Sequence, residues 1–243
     1  MAVKTPSTAE LISNAESYAG IQAGIVSLKD VLKSPSSQAA PGGSSVRGGS
    51  NNVQNDHWPA WAQSVLVLAL YHPEKEPRLD YWEYGDTWGN RRLREISMEL
   101  RHWLRWSSHL FSSPLPYSVA KGGIFLKDAA VLSGIGIIGR NNLVIHPQWG
   151  PRLRLRALLL ENEFQATGAL EGFSPCETCK VFCRKACPVG AFPHGKYSRS
   201  ICSDQMNADE KNRVPCGEIR ANGARNLVVS YCRACEMSCP VGA

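Results

Sequence analysis

The chain has 243 residues, of which 43% are hydrophobic and 20% charged, and a formal charge of +6. That is the composition of a globular protein able to bury a core, and no apolar run approaches the roughly 18 residues that a membrane-spanning helix needs. The N-terminal MAVKTPSTAE shows neither a charged-then-apolar leader nor a twin-arginine pair, so a cytoplasmic location with no membrane partner is expected.

In chain order, Ser7-Thr8-Ala9-Glu10 reads as a capping box that opens a helix running to about Tyr18. The alternation of Ile21, Ala23 and Ile25 predicts a strand. From Ser34 to Asp56 the chain turns rich in Ser, Gly and Asn, the composition of an inserted flexible surface loop. A second strand is expected at Ser64–Tyr71. Leu93, Ile96, Leu100, Trp103 and Leu104 recur at helical spacing, which predicts an amphipathic helix from Asn90 to about Leu110. Its arginines (Arg91, Arg92, Arg94, Arg101, Arg105) read as a solvated face in preference to a phosphate site. Leu115–Ala120 is expected as a strand, Phe125–Leu132 as a short helix stopping at Gly134, and Asn142–His146 and Leu153–Leu160 as strands. Beyond residue 165 the pattern gives way to a loop-rich cysteine segment. The expectation is an α+β protein with domains at 1–165 and 166–243.

All nine cysteines lie between Cys176 and Cys239. A secreted disulfide scaffold would be short and carry a signal peptide, and neither holds. Cys176, Cys179, Cys183 and Cys187 are spaced C-x2-C-x3-C-x3-C-P, whereas Cys232, Cys235 and Cys239 give C-x2-C-x3-C-P with Cys202 well upstream. Bacterial ferredoxins use C-x2-C-x2-C-x3-C-P, and their fourth cysteine ligates the other cluster. The extra residue between Cys179 and Cys183 departs from that pattern. Cys187-Pro-Val-Gly-Ala191 recurs verbatim as Cys239-Pro-Val-Gly-Ala243, the internal repeat that a pseudo-twofold pair of clusters requires. The spacing therefore predicts two [4Fe–4S] clusters, one on Cys176, Cys179, Cys183 and Cys239, the other on Cys187, Cys202, Cys232 and Cys235. Cys216, which follows Pro215 in a turn-like stretch, is the alternative to Cys202. Zinc sites closed by four thiolates are the competing reading, and they fit two Cys-Pro endings and a distant cysteine poorly. An oxidised cluster with its thiolates carries about −2, so the basic balance mostly offsets the cofactors and is weak support for nucleic-acid binding. Two neighbouring clusters make a wire from an external donor to an acceptor, and the long N-terminal region is where that acceptor should sit.

Gly134, Gly136 and Gly139 form G-x-G-x-x-G within Ser133-Gly-Ile-Gly-Ile-Ile-Gly-Arg-Asn141. A dinucleotide fold needs this motif directly after a strand and opening a helix. Here it follows a helix and leads into a strand, so the glycines are read as allowing tight turns and close approach of a large flat ligand. Together with Ala62-Gln-Ser-Val-Leu-Val-Leu-Ala-Leu-Tyr71, Tyr84-Gly-Asp86 and the lone Cys202 after Tyr197-Ser-Arg-Ser-Ile, this segment resembles the cobalamin-dependent epoxyqueuosine reductases and their relatives, the reductive dehalogenases. The resemblance runs from about Ser64 to Cys239. It implies a nitroreductase-like corrinoid-binding domain followed by a bacterial-ferredoxin-like 2[4Fe–4S] module, with electrons reaching cobalt from the cluster that includes Cys187. It also implies that Gly134, Ile135, Gly136, Ile137, Ile138, Gly139, Arg140 and Asn141, with the backbone around Gly122, Gly123, Ile124 and Phe125, line the corrin, and that Tyr84 and Asp86 lie close by. The D-x-H-x-x-G module that gives a histidine to cobalt is absent. His57, His72, His102, His109, His146 and His194 occur singly and are read as surface or satisfied polar residues, so base-off cobalamin is expected.

The chain departs from the family where the reaction is decided. Ala120, with neighbours Val119 and Lys121, falls where epoxyqueuosine reductases carry an acidic proton donor, and Asp86-Thr87-Trp88 replaces their Asp-Tyr-His. Tyr117 and Lys121 match the tyrosine and basic partner that dehalogenases use as an acid. The queuosine enzymes continue into a helical RNA-contacting region where this sequence stops at Ala243, so tRNA is not the favoured partner. The expected activity is corrinoid reduction, activation or processing: cobalamin bound base-off and reduced through two clusters, fed by a low-potential donor such as a ferredoxin or flavodoxin. The alternatives are an epoxyqueuosine-reductase-like tRNA-modifying enzyme, a dehalogenase-like enzyme and a plain ferredoxin-type electron carrier.

Overall fold

The structure, a computed structural model, describes residues 4–34, 59–115, 126–217, 223 and 225–243. Ser7 closes its capping box: its Oγ accepts from the Glu10 N–H at 3.2 Å, and its own N–H donates to the Glu10 carboxylate at 2.7 Å. These bonds start helix α1 (Thr8–Glu16) and hold the Glu10 carboxyl below its usual range. Strand β1 (Ile21–Ser27) follows, then a short helix α2 (Leu28–Leu32) that the periodicity does not announce. The expected surface loop from Ser34 to Asp56 lies outside the described residues except for Ser34, which is buried with its hydroxyl on Asp128.

Strand β2 (Ser64–Tyr71) has the expected bounds. Strands β3 (Trp82–Glu83) and β4 (Asp86–Thr87) make a tight hairpin. Its turn residues Tyr84 (φ 52) and Gly85 (φ 79) are both left-handed, as a two-residue type I′ turn demands. The Thr87 hydroxyl then accepts from the Asn90 N–H and caps helix α3 (Trp88–Ser108). Strand β5 (Ser112–Pro114), helix α4 (Leu126–Leu132), strands β6 (Ile137–Ile138) and β7 (Val144–Ile145), and strand β8 (Leu153–Leu160) complete the first part of the chain.

Four of these strands form one antiparallel sheet in the order β1-β2-β8-β5. SVLVLALY shows no polar alternation because β2 is central and covered on both faces. Leu66, Leu68 and Leu70 join Leu11 and Ala15 of α1 and Leu93, Ile96, Leu100 and Leu104 of α3 on one side. Val65, Val67 and Ala69 join Leu28 and Val31 of α2 and Ala129 and Ala130 of α4 on the other. The sheet is thus the middle of three layers.

One expected strand is corrected, and one falls mostly outside the described residues. A strand not named from the sequence forms at Ser112–Pro114, where it pairs with Leu158–Leu160; of the strand expected at Leu115–Ala120 only Leu115 is described, and it donates its N–H to the Ala157 carbonyl. Residues 116–120 lie outside the described set. The strand expected at Asn142–His146 shrinks to β7, because Asn142 is left-handed (φ 61) and turns back on Gly139. The cysteine segment is also more regular than expected. It holds short helix α5 (Phe182–Lys185), the 13-residue helix α6 (Arg199–Lys211), the hairpin β9 (Val214–Cys216) and β10 (Asn226–Val228), and short helix α7 (Ala234–Met237). Among the described residues no helix is long and apolar enough to cross a membrane.

Leu68 lies on the central strand with no exposed surface. Leu68→Ala is expected to cost about 2–5 kcal/mol, read as a lowered urea midpoint at unchanged slope.

Candidate functional site

The repeated pentapeptide has a repeated structure. α5 and α7 each occupy one turn and lead into a Cys-Pro-Val-Gly bend with left-handed glycine, Gly190 (φ 60) and Gly242 (φ 75). In the first bend the Ala191 N–H donates to Cys187 Sγ at 3.2 Å. In the second the Val241 backbone donates to the Cys239 sulfur. Cys183 and Cys187 are one helical turn apart yet join different groups of thiols, and Cys235 and Cys239 do the same.

The first group is Cys176, Cys179, Cys183 and Cys239, which line one cavity together with Arg140, Asn141 and Ile145. The second is Cys187, Cys202, Cys232 and Cys235, whose thiols lie within electrostatic reach of one another. Cys202 comes from α6, whereas Cys216 lies in β9 opposite Asn226. Burial pushes the Cys235 thiol up to about 12, and the neighbouring sulfurs add to the effect. Burial and a hydrogen bond to Cys202 likewise raise the Tyr197 hydroxyl above the ordinary phenol range. Four thiolates at such spacing repel one another and need a cationic group at their centre. Among the described residues, no three or more His, Cys, Asp or Glu side chains are set to hold a single metal ion. Four cysteine thiols in each group are a donor set that an iron–sulfur cluster would accept.

A buried ion-pair cluster fixes the second Cys-x2-Cys loop to the sheet domain. Asp80 accepts from His72 Nδ1 at 2.9 Å and from Arg154 Nη2 at 2.6 Å, and it pairs with Arg233, the residue between Cys232 and Ala234. Arg233 also pairs with Glu236 and donates to the His72 carbonyl at 3.2 Å. Burial alone would raise the Asp80 carboxyl, but His72, Arg154 and Arg233 outweigh it and hold the group below its usual range. Arg233 shows the mirror balance: burial opposes its charge, and Glu236 with Asp80 more than restores it.

Of the residues expected near a corrin, Tyr117, Lys121, Gly122, Gly123, Ile124 and Phe125 lie outside the described set. Tyr84 stands 82% exposed at the β3–β4 turn. Asp86 accepts from the Arg94 guanidinium at 2.7 Å and from Asn90 Nδ2 at 2.9 Å. The glycine segment is itself half of the β6–β7 hairpin, and its close approach is made by its own chain. A Cβ on Gly136 would sit 2.4 Å from the Ile145 carbonyl oxygen, and one on Gly139 2.2 Å from the Ile145 side chain. Arg140 and Asn141 at its end border the first thiol cavity, and Asn141 Nδ2 donates to the Cys235 carbonyl at 3.3 Å.

A cleft that the sequence did not announce lies beside these elements. Leu126, Leu143, Val144, Leu153 and Leu155 give it an apolar floor, and Asn90, Lys127 and Arg154 give it polar edges. Lys127 donates to the Asn142 carbonyl, and burial lowers its pKa, helped by the charge of Arg199 at the start of α6. Arg154 continues through Asp80 to Arg233, so the cleft connects by two routes to the second thiol group. The only sequence signal for it was the Leu-Arg-Leu-Arg alternation of β8.

Two of the histidines, His146 and His72, are held in the fold by ring hydrogen bonds. His146 Nδ1 accepts from the Gln148 and Trp149 N–H groups at 3.1 Å each, so Nε2 carries the proton and donates to Gln22. Burial pulls its pKa down to about 4. His72 is committed to Asp80, His109 ends α3 in a left-handed cap, and His57 lies outside the described residues.

This arrangement is a mixed α/β fold shared with epoxyqueuosine reductases. An epoxyqueuosine reductase of Leadbetterella byssophila is 27% identical over 126 residues, covering 49% of this chain and 40% of that protein. The solved structure of an epoxyqueuosine reductase with an epoxyqueuosine-modified tRNA stem loop superposes with a TM-score of 0.66 at 19% identity, over 96% of this chain and 64% of that one. The epoxyqueuosine reductase of Streptococcus thermophilus gives 0.62 at 17% identity, over 96% and 65%. The chain spans less than two thirds of the length of the relatives it matches. No protein-family model matches it.

Removing one partner from a buried ion pair strands the others. Asp80→Asn is expected to lose about 3–5 kcal/mol and to speed amide exchange selectively across 229–241. The stability that Asp80 contributes is present above about pH 4 and is lost as pH falls through its depressed native pKa. The variant should lack that acid limb in a pH series of urea midpoints. His146 acts in a higher window. Unfolded, it titrates near its usual ~6.5, so the unfolded chain takes up the proton first, and stability falls from about pH 6.5 towards the native value near 4. His146→Gln should flatten that slope.

Proposed function

We propose that this chain is a redox protein in which two four-thiol groups hold [4Fe–4S] clusters serving a corrinoid-binding cleft, and that it reduces base-off cobalamin for corrinoid reduction, activation or processing. The observation that carries this is the crossing of the cysteines: each Cys-Pro motif gives its last thiol to the other motif's group. When bound, such clusters supply single electrons at low potential. The protein's own part is to hold, tune and shield. Ala191 and Val241 direct backbone N–H groups at Cys187 and Cys239, and hydrogen bonds to sulfur are one means of setting cluster potential. The division into a nitroreductase-like domain at 1–165 and a ferredoxin-like module at 166–243 belongs to this reading. An apolar floor with amide-binding edges between Asn90 and Leu155 suits a flat macrocycle with a polar rim. Tyr84 lies away from the floor, while Asp86 reaches its edge through Asn90. Tyr117 and Lys121 are retained as the candidate acid pair. A low-potential ferredoxin or flavodoxin would feed the clusters.

A second reading is favoured by the relatives: an epoxyqueuosine reductase acting on tRNA. It uses the same electron path and differs in substrate, and it predicts tRNA binding that weakens steeply with salt.

The deciding measurement is anaerobic. Cluster-reconstituted protein is mixed with cob(II)alamin, and EPR spectra are recorded before and after a low-potential reductant. A base-off cobalt signal that disappears on reduction is expected; a free-solution cobalamin spectrum beside two intact clusters would leave a plain electron carrier. Cys187→Ala should abolish cobalt reduction while leaving corrin binding intact, and unchanged reduction would sink the proposed wiring.

A further inference from the structure

The two thiol groups sit in unequal electrostatic surroundings. Arg152 is buried, at 4% exposure, beside the first group. Its Nη1 donates to the Val241 carbonyl at 3.0 Å and its Nη2 to the Met237 carbonyl at 3.3 Å. Both acceptors are neutral, and among the described residues Arg152 makes no ion pair. Its charge therefore remains uncompensated and acts on Cys239, whose thiolate it favours. Arg140 borders the same cavity.

The second group faces the opposite sign. The Asp209 carboxylate accepts the Cys232 N–H at 2.8 Å, and the buried Glu236 directly follows Cys235. Both carboxylates disfavour the neighbouring thiolates. The guanidinium there, Arg233, is already matched by Asp80 and Glu236. Arg199, at the start of α6, is exposed, so water weakens its charge without cancelling it, and it acts less strongly than the buried Arg152. Adding an electron next to a buried, unpaired cation is favourable, and adding one next to carboxylates is not.

We propose that Arg152 sets the cofactor of Cys176, Cys179, Cys183 and Cys239 at the higher reduction potential, and that Asp209, whose charge no cation among the described residues matches as Arg233 matches Glu236, keeps the cofactor of Cys187, Cys202, Cys232 and Cys235 at the lower one. The inference rests on the cluster reading above. The low-potential centre then lies on the side of the cleft reached through Arg154, Asp80 and Arg233, where a poorly reducible acceptor needs it. The other centre stores the preceding electron. Each reduction adds one electron, taken from dithionite in the test, and breaks no bond. Arg152 is thus a tuning residue that acts through its charge and not through contact with substrate.

The test is an EPR-monitored potentiometric titration of the reconstituted holoprotein. Two one-electron waves are expected. Arg152→Gln should shift the higher wave down towards the lower and leave the lower in place, Arg152→Lys should keep most of the gap, and Asp209→Asn should raise only the lower wave. A purely structural role for Arg152 would disturb both waves or neither, and either result overturns the proposal. Should Arg152→Gln fail to assemble, Asp209→Asn decides alone: an upward shift of the lower wave supports the asymmetry, and an unmoved wave overturns it. Wild-type protein that takes up no iron and sulfide overturns the cluster reading and this inference with it. Two clusters whose waves ignore these substitutions overturn only the inference.

Discussion

The carboxylate of Asp80 is where the two parts of the chain meet. It comes from a 3₁₀ turn after β2, and it receives His72 from the end of that strand, Arg154 from β8 and Arg233 from the Cys232–Cys235 loop. Each partner arrives from a different element, so the loop has one seating in which the carboxylate keeps all of them. A buried carboxylate with fewer partners would cost several kcal/mol. The cysteine segment itself has little apolar core among its described residues, with Ala191, Val228, Val229 and Cys239 as its buried hydrophobics. Its placement rests on this polar clasp, on the Trp82–Val229 backbone bridge and on Arg152, which reads the carbonyls of the last turn.

From that placement follows the order of the thiols. With α7 fixed against the sheet, Cys235 faces the second group and Cys239 the first, since one helical turn separates them. α5 repeats the arrangement with Cys183 and Cys187, and the two short helices pack on each other. The repeated pentapeptide is thus a repeated piece of geometry: a bend that turns a backbone N–H onto a sulfur. Gly242 is held to glycine by sterics as well, because a Cβ there would press within 2.3 Å of the Trp149 backbone.

Much of the fold was legible because its signals are local. The capping box at Ser7, the apolar run of β2, the helical spacing of α3 and the Leu-Arg alternation of β8 each depend on neighbours in sequence. The segments read less well are those whose conformation answers to distant partners. β5 forms at Ser112–Pro114, where Leu158–Leu160 offers a ladder, although its own residues carry no apolar signal. The glycines of 134–139 show the same limit, because a glycine's tolerance of close approach does not say what approaches: the backbone of Gly168 lies against Gly134, and Ile145 lies against Gly136 and Gly139. The Asp80 cluster was invisible for the same reason: His72, Asp80, Arg154 and Arg233 are ordinary surface residue types, spread along 161 positions, until folding brings them together. The cysteine spacing was the one long-range feature written plainly, since its two halves carry the same five residues.

The crossing of the thiols also bears on biosynthesis. A chain leaving the ribosome presents Cys176, Cys179 and Cys183 long before it can finish either group. The second group becomes complete only when Cys235 emerges, and the first only when Cys239 follows four residues later. Iron loaded onto the nascent chain would meet three thiols and open coordination, the state most prone to wrong metals and oxidation. The geometry therefore favours docking of both motifs before metallation, with the Arg233 clasp closed while the thiols are still bare.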